Sequence, residues 1–373
     1  MAVYRIFPEK TATIYSRYPL FNAGLDEIME IDSYYIGGDS YVARSLIAFN
    51  SVEQQTVIDD IIGSTEFSAN LKLYLAEGEE APTTYTINAY PLYETWDRGT
   101  GHFGDTPHAT DGVNWIYNRP NSYWTSPAPT NTTASFNPTL PDVEGGLWYT
   151  GSFGVNLEHS QTHTVDSTHD LEIDVTDSVN LFYSYAVGNT QNALPNYGFI
   201  LKLDNSNEFQ TNRNIFLKYF SGNTHTIYPP CLEFKWNDFN YNSTLGQINT
   251  DNLNLTVKGN KGIYTDEGKQ RFRLHVKPKY PTRVFSTTSN YLTNYILPSG
   301  AVWGIRDEHT EEMVIDFDNV YTRISADNNG SYFDVYMNAL QPERHYRILI
   351  KATVDGSTTV FDEGLVFKVV RNG

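Results

Sequence analysis

The sequence predicts an all-β protein made of two β-sandwiches with one short helix, and three observations lead there. Runs such as Leu171, Ile173 and Val175 against Glu172, Asp174 and Thr176 repeat with a period of two, the mark of a strand with one dry and one wet face. The 27 Tyr, 20 Phe and 26 Gly suit pleated, turn-rich structure better than helices. At 373 residues the chain is longer than one compact core usually holds. The expected division is a sandwich with an N-terminal arm over residues 1–245, a polar linker at 246–270 and a smaller sandwich over 271–373.

In chain order, Arg5 to Tyr15 reads as an extended arm around Pro8, and the turn Asn22 to Glu27 leads into the alternation of Ile28, Glu30 and Asp32 with Met29 and Ile31. Ser51 to Gly63 is the one clear helix, because Val57, Ile58, Ile61 and Ile62 recur at helical spacing. Ser51 with Gln54 reads as its capping box, and Gly63 as its left-handed stop. After the strand 171–175, Thr176 and Asp177 can cap a turn of helix carrying Val179, Phe182 and Tyr183. Asn196-Tyr197-Gly198 then tolerates positive φ, and a second strand places Phe199, Leu201 and Leu203 on one side and Lys202 on the other. Residues Asn242 to Gln270 are polar around the short run Leu253 to Val257. Beyond them Phe272, Leu274 and Val276 face inward between Arg271, Arg273, His275 and Lys277. Leu340-Gln-Pro342-Glu-Arg-His-Tyr346 has the form of a tyrosine corner, in which the hydroxyl of Tyr346 bonds back to upstream backbone, so the second sandwich is read as immunoglobulin-like.

Charge and composition exclude several functions. A net charge of −18, from 26 basic against 44 acidic residues, leaves no surplus of cations to neutralise phosphates, so nucleic acid is not an expected partner. No run is long enough to span a membrane, and the opening Met-Ala-Val-Tyr-Arg-Ile-Phe-Pro has no apolar signal region. The single Cys231 excludes an internal disulfide and points to folding in a reducing cytosol.

Chemistry-bearing patterns are few. His159, His163 and His169 lie near Asp166 and Asp170, but their spacing matches no standard zinc site. Asp204-Asn-Ser-Asn-Glu208 offers oxygen ligands for calcium without the glycine and spacing of an EF-hand, and reads as a polar turn. There is no Gly-x-Ser-x-Gly elbow, no His-Glu-x-x-His and no phosphate-binding glycine loop, so no catalytic residue, metal or cofactor is assigned.

Several segments, taken together, carry a resemblance. They are Ala43-Arg-Ser-Leu-Ile-Ala-Phe49, Ala69-Asn-Leu-Lys-Leu-Tyr-Leu75, the pair Thr95-Trp96 and Gly112-Val-Asn-Trp115, the order Asp174-Val-Thr176…Asn196-Tyr-Gly198-Phe199-Ile-Leu201, and Tyr228 to Phe234. In this order they resemble the core of the DNRLRE-type domain, a jelly-roll β-sandwich related to a carbohydrate-binding module family. The closing segment lacks that family's arginine, and Tyr117 to Gly145 has no counterpart. The resemblance covers about residues 1 to 240. It implies structural roles for Trp96, Trp115, Asp174, Thr176, Gly198 and Phe199. The start, Ile6 to Tyr15 followed by Asn22 to Ile28, is similar to virion structural proteins of tailed bacteriophages that carry this sandwich.

What the resemblance implies is a non-enzymatic neck or tail component, assembled in the host cytoplasm, that joins copies of itself and other virion proteins. Trp124, Trp148 and Tyr149 lie in an aromatic, loop-like stretch and leave two readings open: core or subunit interface, or stacking platforms for a host surface glycan. A third reading, a polysaccharide-degrading enzyme, has no catalytic residues to name. The segment Asn118 to Pro141, with five prolines, reads as an excursion that reaches a neighbour.

Overall fold

The computed structural model describes residues 2–63, 65–79, 81–125, 132–134, 144–150, 153–281 and 293–372. Strands take up 46% of it and helices 9%, so the protein is all-β, with antiparallel pairing dominant. It divides into an N-terminal unit, Ile6–Ser64 with Ser68–Glu233, and a C-terminal unit, Met1–Arg5, Thr65–Phe67 and Phe234–Gly373.

The N-terminal unit is built on a large sheet in the order His159–Thr164, Thr84–Pro91, Phe199–Leu203, Asp39–Ala48, Ile28–Ile36, Ile215–Phe220 and Leu75–Glu79, with Lys10–Tyr15 also pairing to Asp39–Ala48. Between these strands the chain leaves for a smaller sheet in which Phe67–Leu73 pairs with Leu171–Asp174, Leu71 opposite Ile173. This repeated crossing between sheets is the jelly-roll habit. The central strand is dry on both faces, because every residue from Val42 to Ala48 is buried. Leu46 stands opposite Ile200 and joins Ile14, Trp96, Trp115, Trp124, Leu147 and Trp148 in one apolar cluster. The next residue, Ile47, stands opposite Phe199, which packs from the other face against Phe182 at 5.5 Å.

Two expectations change here. The N-terminal arm is no free arm: Lys10–Tyr15 is a fully paired strand, with Ala12 opposite Leu46, and its residues from Thr11 on are buried. Lys202, expected on a wet face, is only 2% exposed, since both faces of its strand are covered. Most of Asn118 to Pro141 lies outside the described residues. Gly198 is required where it stands: its φ is +89° and an added Cβ would sit 2.2 Å from the Ile47 carbonyl oxygen.

The C-terminal unit is a sandwich of a four-stranded sheet (Leu253–Lys258, Lys269–Pro278, Gly330–Tyr336, Ser325–Asp327) and a five-stranded one (Ile263–Thr265, Ser357–Val370, Arg344–Val354, Val302–Asp307, Met313–Ile315). Trp303 from the second sheet stacks on Phe333 of the first at 5.0 Å, which fixes the middle of the core. The stretch 246–270 does not act as a linker. Leu253, Leu255 and Tyr264 are buried in this core, and the polar residues between them are simply the outer face of strands. Val3, from the start of the chain, belongs to the same core. The longest hairpin turns at Asp355 and Gly356, both with positive φ, as an Asp-Gly turn of the inverted type requires.

Tyr346 makes the expected corner, its hydroxyl donating to the Gln341 carbonyl at 2.9 Å from a side chain 2% exposed. Tyr346→Phe keeps the ring and removes that bond, so it is expected to lower the unit's stability by about 0.5–1.5 kcal/mol. Urea unfolding of the full chain, followed by circular dichroism, measures this, and an unchanged midpoint would mean that the corner contributes nothing.

Asp307 gives the same unit an acid limb. Burial by itself would raise its pKa, but hydrogen bonds from Arg344 Nε at 2.7 Å and from the Thr310 and His309 amides outweigh burial and hold it down to about 2. A carboxylate whose folded pKa lies below its unfolded value stabilises the fold above the unfolded value and loses that contribution as pH falls through the folded one. Stability of the C-terminal unit is therefore expected to drop between about pH 4 and about pH 2, less steeply in Asp307→Asn. Urea midpoints measured down this range decide it, and identical slopes in the two proteins would sink the assignment.

Candidate functional site

Two helices of the N-terminal unit build the site. The first, α1 (Ser51–Thr56), is capped by Asn50, whose side chain accepts from the amides of Val52 at 2.9 Å and Glu53 at 3.1 Å. The predicted cap at Ser51 is thus one residue late, and asparagine serves the role as well as serine. The helix widens into a π-turn at Val57–Ile62, burying Val57, Ile58 and Ile62, and Gly63 ends it at φ +67°. The second, α2 (Thr176–Ala186), is eleven residues long, more than the single turn expected. Neither Thr176 nor Asp177 caps it. Asp174 Oδ1 instead accepts from the Thr176 amide and hydroxyl at 2.9 and 2.6 Å, while Thr176 Oγ1 accepts the Ala69 amide at 2.8 Å. Asp174 and Thr176 therefore pin the start of α2 to the neighbouring strand.

Between α1, α2 and the loop before Phe199 lies a cavity of about 280 Å³ lined by Gln54, Gln55, Phe182, Tyr183, Tyr185 and Tyr197 among others. Its walls are fixed by polar contacts behind them. Asp59, on the π-turn, accepts from the Gln55 amide at 3.3 Å and from the Tyr183 hydroxyl, tying α1 to α2. Gln54 accepts from Asn196 Nδ2 at 2.9 Å, and Asn196 Oδ1 accepts the Gly198 amide at 3.1 Å. Tyrosines gather alongside: burial, and then the hydroxyls of Tyr93, Tyr197 and Tyr185, push the Tyr149 hydroxyl up to about 12.

The three aromatic residues singled out in the sequence are placed inside. Trp124, Trp148 and Tyr149 are 1%, 4% and 9% exposed, so none offers a face to a sugar, and of their two readings the core is the one they occupy. Trp96 and Trp115 share that core, Trp96 donating to the Tyr197 carbonyl at 3.0 Å.

Trp115 and Trp148 do something else that was not foreseen. Arg44, fully buried, lies 5.0 Å from the Trp115 ring and 5.3 Å from Trp148. Its Nε pairs with Glu208 at 2.7 Å, and Lys202 Nζ pairs with the same carboxylate at 2.8 Å. Arg44 Nη1 also donates to the Gly145 carbonyl at 2.7 Å, and Lys202 to Leu203 and Asn205. Two cations thus share one carboxylate, and the electron-rich indole faces take up part of the excess positive charge. Burial, partly offset by Glu208, lowers the pKa of Lys202.

The other candidate ligands are used within the fold. His159 meets Ser178 Oγ at 2.6 Å, whereas His163 and His169 flank the Tyr85 ring, whose hydroxyl meets His169 Nδ1 at 2.9 Å. Asp204 caps the four-residue helix Asn205–Glu208, and Glu208 belongs to the buried charge cluster. Among the described residues no three His, Cys, Asp or Glu side chains converge as a metal site would need. No helix among them is long and apolar enough to cross a membrane.

No protein-family model and no curated protein matches the chain. The cavity residues escaped sequence reasoning because α1 and the 182–197 segment are more than 120 residues apart, as the Gln54 contact to Val179 shows. The one local signal was the density of aromatic residues in Phe182-Tyr183-Ser-Tyr185 and Tyr197.

Proposed function

We propose that this chain is a non-catalytic structural subunit of a tailed-bacteriophage particle, a neck or tail component that works by binding copies of itself and other virion proteins. The observation that supports the reading is how the segments resembling the DNRLRE-type domain fit together. Ala43 to Phe49 and Phe199 to Leu201 are paired neighbours, as are Ala69 to Leu73 and the Asp174 strand, and Trp96 and Trp115 lie in the cluster that covers the first pair. Glu233, from the remaining segment of the set, approaches Lys72 to 3.4 Å. Residues scattered over some 190 positions of sequence thus form one framework, as expected if the resemblance reflects a shared domain. With Lys10–Tyr15 paired within the sheet, assembly would use surfaces of the two sandwiches and sheet edges such as Leu75–Glu79, where four of five residues are exposed. The test is mass spectrometry of purified particles. A fixed copy number per particle is the expected result, and full-length chains left in the soluble fraction of a normal lysate would overturn the reading.

A further inference from the structure

We propose that a cleft on the outer face of the C-terminal unit, at the end of the strand Lys269–Pro278, binds a phosphate or sulfate group. The proposal is independent of the assembly reading, because it rests on how this strand distributes its charges. Lys269, Arg271, Arg273, His275 and Lys277 alternate with Gln270, Phe272, Leu274 and Val276, and Lys279 follows just past the strand's end. Since Phe272, Leu274 and Val276 lie in the core, groups able to carry positive charge stand outward at intervals of roughly 7 Å. The fold neutralises the first three. Asp334 pairs with Lys269 at 2.9 Å and with Arg271 at 2.8 Å, and Asp327 accepts two bonds from Arg273 at 2.9 and 2.8 Å. Beyond Arg273 the positive groups continue and the carboxylates stop: among the described residues no Asp or Glu pairs with His275 or Lys279.

Those last groups line the cleft. It measures about 270 Å³, and Asn254, Thr256, His275, Lys277 and Lys279 stand in its wall. Strand register gathers them, with Asn254 opposite Lys277 and Thr256 opposite His275. An amide, a hydroxyl and the three cationic side chains thus converge on a space that suits an anionic head group, and no carboxylate of the described residues lines it. Asp251, on the turn before Leu253, is not part of the wall. His275 and Lys277 are half-buried, so a bound anion is worth more to them than to fully hydrated cations. The net charge of −18 does not oppose this, because exposed charges more than about 8 Å away are largely screened at physiological ionic strength. An oxyanion with two charges and three or more oxygens can meet several of these donors at once, which a lone carboxylate cannot. Burial, then Lys277 and Lys258, lowers the pKa of His275, and Asp327, two strands away in the sheet, is already held by Arg273. A bound dianion opposes that lowering. His275 therefore takes up a proton as the cleft fills, and affinity rises as pH falls from about 7.5 to about 5.5.

The experiment is NMR of the full chain with carbon-labelled histidine, the His275 signal being assigned by its loss in His275→Gln. Sodium sulfate, whose charge is constant over this pH range, is titrated against sodium chloride at matched ionic strength. Sulfate is expected to give a saturable shift of the His275 signal that chloride does not, with a dissociation constant on the order of 1 mM near pH 6 and severalfold weaker at about pH 7.5. Lys277→Gln and Lys279→Gln are each expected to weaken binding by about threefold or more. Lys261→Gln removes the same charge from an exposed loop outside the cleft and should leave binding unchanged. Circular dichroism establishes that the variants fold. Glycerol 3-phosphate and vesicles containing phosphatidic acid distinguish the sources of the group. Tighter, Lys277-dependent binding of the soluble ester assigns the cleft to a phosphorylated small molecule, and of the vesicles to a lipid head group; either supports the proposal. Sulfate shifts no larger than those in chloride, or shifts unchanged in both lysine variants, would overturn it. So would a Lys277-dependent response to a hexaglutamate peptide alone, since an acidic protein segment would then be the partner. The copy number of the chain in phage particles bears on none of these outcomes.

Discussion

Glu208→Ala is expected to destabilise the N-terminal unit by about 3–5 kcal/mol. Glu208 is 1% exposed and is the shared partner of Arg44 and Lys202, themselves 0% and 2% exposed. Removing it strands two cations in a region closed to water, and the indole faces of Trp115 and Trp148 offset only part of that. A loss of this size is a large share of the ~5–15 kcal/mol that holds a domain folded, so soluble yield should fall too. The sign reverses for a concerted change. Replacing Arg44, Lys202 and Glu208 together with apolar residues of similar volume removes the desolvation penalty along with the attraction, and is expected to recover most of the loss. Urea unfolding of the single and triple variants measures both. A single variant within about 1 kcal/mol of the parent would mean that water reaches the cluster and that its charges are not truly buried.

Trp148→Ala comes next, with an expected loss of about 3–5 kcal/mol, as for other large aromatic residues truncated in a core. Trp148 is 4% exposed, packs in the cluster over the large sheet, tilts against Tyr90 at 5.8 Å and lies beneath both Arg44 and Lys202. The truncation therefore opens a cavity and strips an electron-rich face from two buried cations at once. Trp148→Phe keeps a ring in place and should lose much less. No sugar binding that depends on Trp148 is expected, because the indole does not reach the surface. A disaccharide titration signal given by the parent and lost in Trp148→Phe would return Trp148 to the list of glycan contacts.

What could be read from the sequence is what short-range pattern controls. The all-β class follows from period-two alternation and aromatic usage, and the helix after Ser51 from a stripe of Val and Ile. Gly198 and the Tyr346 corner follow from backbone needs that few residue types meet. Each of these signals is contained within about ten residues. The limits of the first helix agree closely with the reading and the length of the second does not, and Thr176, read with Asp177 as a cap, joins Asp174 in tying α2 to a strand.

Misreadings have a common cause as well. A strand exposed on one face and a polar linker look alike when only every second residue is apolar, so 246–270 reads as a linker although Leu253 and Leu255 are core. A strand covered on both faces hides its charges, so Lys202 reads as a surface residue. Trp124 and Trp148 could be sugar platforms or core residues by composition, and nothing local distinguishes the two.

By itself, then, the sequence determined the class of fold, the position of several strands and the turns that only glycine or a corner tyrosine can make, because those depend on dihedral preferences and on the alternation of faces along one segment. Only the tertiary structure decided which faces are covered twice and which charges meet. It brought Arg44 to Glu208 across 164 positions and Tyr183 to Asp59 across 124. The physical reason is register: the strand and helix partners of a segment are chosen by burial summed over the whole unit, and a shift of one residue along their strands would have turned Arg44 and Lys202 to the opposite face.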